Sequence, residues 1–122
     1  TYDAWQRQDA NWGVFDGGEL AAIFTVIHEP MRDWPDVAVE GAMPWLRALA
    51  VDPARRGAGL GTFAIHAALA MFGADEYVYL DCVSDFLPEY YARHGFEHVA
   101  RQVRDYPDGA YDITLMRQRG TV

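Results

Sequence analysis

The sequence predicts an α/β domain built on one mixed sheet with helices on its faces, and three features predict it. A strand, a glycine loop and a helix follow one another from Trp45 to Gly73. A further strand, Tyr77 to Cys82, comes next, and a strand–helix–strand unit of that length implies parallel pairing with a right-handed crossover. Apolar runs joined by glycine turns at both ends of the chain read as antiparallel hairpins. Strands and helices stop alternating after the second helix, which a doubly wound dinucleotide domain would not do.

Composition sets the outer bounds. A chain of 122 residues with 51% hydrophobic content is one globular domain spanning 1–122, large enough to bury about two thirds of its unfolded surface. The net charge of −8 argues against a nucleic-acid partner, because a phosphate backbone attracts clustered lysine and arginine, and favours a cationic substrate. Cys82 is the only cysteine and cannot close an internal disulfide. With no leading apolar segment and no apolar run near the ~20 residues of a membrane span, the expectation is a cytoplasmic protein with no membrane partner.

In chain order, Tyr2 and Trp5, three apart among polar neighbours, suggest the last turns of a helix over the first ten residues. Trp12 to Phe15 and Leu20 to His28 read as two strands around Asp16-Gly17-Gly18, the second apolar enough to be covered on both faces. Glu29 to Glu40 reads as a loop with Pro30, Pro35 and four acids, interrupted by Met31 and Trp34. Two accounts of it stand: a solvated connection whose Trp34 packs on the core, or a lid whose carboxylates attract an ammonium group. Asp52-Pro53 stops the Trp45 strand, Pro88 sits early in the second helix, and Gly95 ends it. Phe96 to Val103 and Tyr111 to Met116 flank a turn at Pro107-Asp108-Gly109 and close the sheet.

The chemistry concentrates in Arg55-Arg56-Gly57-Ala58-Gly59-Leu60-Gly61-Thr62, where three glycines on alternate positions precede an alanine-rich helix. Glycine lets the backbone turn sharply and approach a ligand, and the free N–H groups opening the helix form an anion site suited to phosphate. A nucleoside-triphosphate loop needs Gly-Lys-Ser/Thr, and no lysine is near. A dinucleotide fingerprint from Gly57 would need glycine where Thr62 stands, although Asp81 lies where a ribose-binding acid would. The third pattern, R-x-x-G-x-G, is met by Arg56, Gly59 and Gly61.

This stretch resembles the coenzyme-A loop of the GNAT superfamily of N-acetyltransferases, with the strand, the Asp-Pro and the following helix in register. Leu87 to Phe96 resembles the family's other signature, a short helix with tyrosine four residues before Gly-Phe, here Tyr91 before Gly95-Phe96. Together the two cover about half the chain. The resemblance implies a GNAT-like fold, a central mixed sheet flanked by helices. Family members normally begin with a strand and a helix pair that supply part of the acceptor pocket, so the N-terminal elements are expected to be missing or shortened here.

What the resemblance implies chemically is acetyl transfer from acetyl-CoA to a primary amine in a ternary complex. The pyrophosphate would lie on Arg56, Gly57, Ala58, Gly59, Leu60, Gly61 and Thr62, and the pantetheine arm along Leu49, Ala50 and Val51, with a backbone N–H near Leu49 facing the oxyanion. Tyr91 would be the general acid to the leaving thiolate. For the base, Glu40 and His28 at the acceptor mouth and Asp81 beside the thioester are the candidates, and a water chain could replace all three. No metal is expected: His94 and His98 straddle Gly95 and cannot share a helical face. Cys82 reads as a small buried hydrophobe and His66 as a surface or partner-contact residue. The family's asparagine after the Tyr77 strand has no clear counterpart; Ser84 or Asp85 occupies that region, and an anion there would weaken CoA binding. The alternatives are a non-catalytic acyl-CoA-binding module and a dinucleotide-binding oxidoreductase domain. The acceptor is a small-molecule or protein amine, and the resemblance allows a homodimer without fixing the stoichiometry.

Overall fold

The computed structural model describes residues 2–8 and 10–122. One seven-stranded sheet runs in the order β1-β2-β3-β4-β5-β7-β6. Its strands are β1 (Tyr2–Gln8), β2 (Asn11–Asp16), β3 (Glu19–Pro30), β4 (Ala42–Val51), β5 (Tyr77–Val83), β6 (Glu97–Tyr106) and β7 (Gly109–Arg119). A 3-10 turn, Pro53–Arg55, leads from β4 toward helix α1 (Leu60–Leu69), and helix α2 (Leu87–Arg93) lies between β5 and β6. Every neighbouring pair is antiparallel except β4 with β5, so the sheet is mixed as predicted.

The first strand corrects the helical reading of the N-terminus. Tyr2 and Ala4 turn toward the sheet's inner side while Trp5 is 63% exposed, and β1 pairs with β2 from Tyr2 opposite Asp16 to Gln6 opposite Trp12. A spacing of three fits either period, and the ladder to β2 decided it. Among the described residues no α-helix precedes Leu60. The loop after the second hairpin strand also begins later than read, since Glu29 and Pro30 still pair with Met43 and Ala42.

Alternation divides the core between the two faces of the sheet. Val14, Phe24, Leu46, Val78 and Leu80 point to α1, whose Leu60, Ala64, Ile65, Ala68 and Leu69 form one apolar stripe. Trp45, Tyr79, Ile113 and Leu115 point to the other face, where Trp34 covers them. Trp34 is buried, so the segment before β4 packs on the core, as the first of its two accounts expected.

The feature that positions the site is a break in β4. Ile23 of β3 faces Ala50 while Thr25 faces Arg47, so Ala48 and Leu49 together oppose one residue of β3. Ala48 takes φ of 52°, the only non-glycine residue described with positive φ. This is a β-bulge, and it changes the strand's phase: Leu46 faces α1, and so do Leu49 and Val51. The parallel ladder of β4 with β5 consists of one registered pair, Trp45 with Tyr79. Beyond that pair, toward the ends of both strands, the sheet opens.

Candidate active site

The opening leads into a cleft of about 580 Å³. Its walls come from three places in the chain: Leu49, Ala50 and Val51 after the bulge; Arg55 to Gly57 and Gly59 to Thr62 of the glycine loop; and Phe86, Leu87, Tyr90 and Tyr91 at α2. Of the ten residues read from the sequence as coenzyme-contacting, nine line this cleft. The tenth, Ala58, is turned outward, and its carbonyl accepts the Tyr2 hydroxyl hydrogen at 2.5 Å.

The glycine loop is shaped by its own backbone. Gly57 and Gly59 have φ of 85° and 78°, the left-handed region where a Cβ is strained. Gly59 caps α1 without a side-chain hydrogen bond, so the helix opens with amide groups that no side chain satisfies, at the positive end of its dipole. Arg55 fastens the loop from behind, pairing with Asp16 at 3.3 Å, with Asp52 at 3.5 Å and with Glu19. Neither this clamp nor the Tyr2 anchor is legible in the sequence, because both join residues far apart in the chain.

Gly61 has a different reason to be glycine. A Cβ there would collide with the Tyr90 hydroxyl. Gly61→Ala is therefore expected to cost about 1–2 kcal/mol of stability, and adding Tyr90→Phe, which removes the oxygen, to restore most of it. Denaturant unfolding of the two single variants and the double variant checks this; additive losses would contradict it.

Tyr91 stands deeper than Tyr90, edge-on to Phe96 at 5.8 Å and to Tyr90 at 5.2 Å. Burial first, then the neighbouring Cys82 and Tyr90, push its hydroxyl up to about 12, so it remains protonated throughout the neutral range. Cys82 is pushed up to about 11 by burial and by the carboxylates of Asp81 and Asp85. Raised from 9.0 to about 11, the thiol is ionised about 100-fold less often at neutral pH. Disulfide-exchange labelling of Cys82 is expected to be slower than that of a free thiol by about two orders of magnitude. Labelling at the free-thiol rate would show the site to be open and polar.

The acid–base candidates are placed less favourably. His28 is turned to the α1 face by the alternation of β3, where its ring meets Phe72 at 5.5 Å just past the far end of α1. Glu40 is exposed in the segment before β4. Neither lines the cleft. Asp81 does flank the β4–β5 opening, but on the Trp34 face, and its carboxylate is occupied. It accepts from Trp34 Nε1 at 3.1 Å and pairs with Arg47 at 3.4 Å and Arg104 at 3.6 Å. Asp85 caps the first turn of α2 through Leu87 N–H, and Ser84 bonds Thr114, so neither lines the cleft. Asp85 thus does not press its charge into the space a coenzyme arm would need.

Comparison with known proteins adds to this geometry. The family model described as the acetyltransferase (GNAT) family matches residues 1–96. Among solved structures, NAA60 from Arabidopsis thaliana in complex with a bisubstrate analogue superposes with a TM-score of 0.72 at 19% identity, over 91% of this chain and 76% of that one. The same protein in complex with acetyl-CoA gives 0.70 at 18% identity, over 88% and 74%. The ribosomal-protein-S18-alanine N-acetyltransferase from Escherichia coli gives 0.61 at 19% identity, over 92% and 69%. At such identities the likeness is one of fold. The search of curated proteins finds no match.

Proposed function

Because the chain belongs to the acetyltransferase (GNAT) family, we propose that it transfers the acetyl group of acetyl-CoA to a primary amine at the cleft walled by β4, the glycine loop and α2. The observation that carries this is the convergence, on one cleft, of the glycine loop at the head of α1, the bulged edge of β4 and Tyr91. The diphosphate sits on the amides of Gly57 to Thr62, and the pantetheine arm follows Leu49 to Val51, which directs the thioester to the opening beside Trp45 and Tyr79.

The amine attacks the thioester carbonyl, forming a C–N bond, and the carbonyl oxygen takes up negative charge beside the Leu49 N–H at the bulge. As the C–S bond breaks, Tyr91 gives its hydrogen to the sulfur, and the nitrogen's surplus proton restores the phenol through solvent. Protonating a thiolate of pKa about 8.5 from a phenol at about 12 is uphill by roughly 5 kcal/mol. Tyr91 therefore acts while charge is developing on sulfur, as a hydrogen-bond donor that completes its transfer late.

The choice of amine follows from what is missing from the cleft wall. Among its described lining residues there is no carboxylate and no imidazole, which favours an acceptor that is already neutral in solution. An α-amino group, of pKa about 7.7–8.0, is neutral about two hundredfold more often near pH 7.5 than a lysine-like amine of pKa about 10.4. We therefore take a peptide α-amine as the acceptor class. The E. coli neighbour is named for acetylating a ribosomal protein, and the NAA60 neighbour is seen with a bisubstrate analogue, which is consistent with that choice.

Release of free thiol from acetyl-CoA tests it, with peptides bearing either a free N-terminus or only an internal lysine, and with small alkylamines. Peptides with a free N-terminus are expected to react fastest. Equal rates with lysine peptides would overturn the acceptor class. Coenzyme binding without thiol release from any amine would make the domain a binding module, and binding of NAD(P) in place of CoA would overturn the assignment altogether.

A further inference from the structure

His94 joins the two helices that flank the cleft. Its Nδ1 lies 2.9 Å from the Tyr90 carbonyl oxygen and its Nε2 lies 2.9 Å from Thr62 Oγ1. A carbonyl oxygen only accepts, so Nδ1 carries a hydrogen, and in the neutral ring Nε2 is then an acceptor. Thr62 must give Nε2 its one hydroxyl hydrogen, leaving none for an anion in the cleft that Thr62 lines. When the imidazole gains a second proton, Nε2 becomes a donor and the bond reverses. The Thr62 hydrogen is then free to turn into the cleft.

We propose that His94 is a positioning residue for the coenzyme: a diphosphate arriving at the glycine loop reverses the Thr62–His94 hydrogen bond, so that coenzyme uptake is coupled to uptake of a proton from solvent at His94 Nε2. This rests on the reading that the cleft holds the diphosphate of CoA. Only a proton moves, forming an N–H bond at Nε2, and no other bond changes. The anion gains one hydrogen bond from Thr62 and a cation behind it.

The groups around His94 leave the ring free to respond. From α1 it faces the uncharged Thr62, with His66 one helical turn further along. From α2 it faces the Tyr90 ring, centroids 4.7 Å apart, whose phenol is held neutral by burial. Arg93, next to it in the chain, pairs with Glu89 at 3.9 Å, and Arg56 brings positive charge to the glycine loop, where Arg55 is already paired with Asp16, Glu19 and Asp52. Among the described residues no ion pair involves His94. Histidine side chains change charge between about pH 5 and 8, and because the complex binds the proton more tightly than the free protein, affinity rises as pH falls through that window.

Calorimetric titration of CoA into wild-type protein, His94→Gln, Thr62→Val and Thr62→Ser tests the coupling, in buffers of different ionisation heat from about pH 6 to about pH 8. Wild type and Thr62→Ser, which keeps a hydroxyl, are expected to take up more protons per CoA near pH 7 than the other two. Near pH 6, wild type is expected to bind about tenfold more tightly than His94→Gln or Thr62→Val. The coenzyme's own phosphate titrates equally in all four, so the difference between them reports His94. Equal proton uptake in all four would overturn this inference and leave the coenzyme reading standing. No binding of CoA by wild-type protein would overturn both.

Discussion

Replacing Tyr91 with phenylalanine is expected to lower kcat by at least about tenfold while KM for acetyl-CoA stays near its wild-type value. The hydroxyl acts only as charge builds on the departing sulfur, so its loss falls on the chemical step and leaves ground-state binding alone. Tyr90→Phe is the control. Both tyrosines line the cleft, but successive helical residues point about 100° apart, and the Tyr90 hydroxyl lies against Gly61 in the glycine loop. A similar fall in kcat for both variants would remove the assignment. The pH dependence is a second check: with its hydroxyl pushed up to about 12, Tyr91 remains protonated through the neutral range, so its ionisation adds no alkaline fall in kcat until pH approaches that value. A fall near pH 9 that vanishes in Tyr91→Phe would mean the phenol is much more acidic than its burial allows.

Replacing Asp81 with alanine is expected to lower stability by about 2 kcal/mol, or roughly 8 °C in Tm. The Asp81 side chain is 12% exposed and accepts from Trp34 while pairing with two arginines. Both guanidinium groups stack on tryptophan, Arg47 on Trp45 at 4.3 Å and Arg104 on Trp34 at 5.0 Å, and some of their nitrogens are buried with no hydrogen-bond partner. Without the carboxylate, two half-buried cations lose their shared partner, Arg47 keeping only Glu29 at 3.8 Å, and Trp34 loses its anchor over Trp45 and Tyr79. Thermal unfolding followed by tryptophan fluorescence reads both effects. A shift below about 0.5 kcal/mol with unchanged fluorescence, together with loss of one ionising limb of the pH–rate profile, would make Asp81 a base and not a brace.

The parts of the molecule that local chemistry dictates were legible in the sequence. Glycine at 57 and 59 marks positive φ, Asp52-Pro53 marks the end of β4, and Gly95, with φ of 93°, marks the stop after α2. Tyr91 was placed by its distance from Gly95-Phe96, which one short helix fixes. What escaped depends on contacts between distant segments. The bulge at Ala48 has no signal, since alanine is an ordinary strand filler and only pairing with Ile23 and Thr25 makes it take positive φ. His94 was weighed only as a metal ligand, because nothing in the chain says that α2 lies across from Thr62. The surroundings of His28 and Glu40 are likewise set by tertiary structure: strand alternation turns His28 to Phe72, and Glu40 sits in an exposed segment.

The measurement that bears most directly on the acetyl-transfer account is calorimetric titration of CoA into wild-type protein and Gly59→Val, with thermal unfolding of both to establish that the variant is folded. Gly59 holds φ of 78° with nothing within 4 Å of the position a Cβ would take, so valine strains the loop's backbone without striking any other protein atom. Wild-type protein is expected to bind CoA and folded Gly59→Val to lose at least about tenfold in affinity, as the amides at the head of α1 swing out of line with the diphosphate. Undiminished heats of CoA binding in folded Gly59→Val would contradict the account, because the coenzyme would then be held somewhere other than the glycine loop.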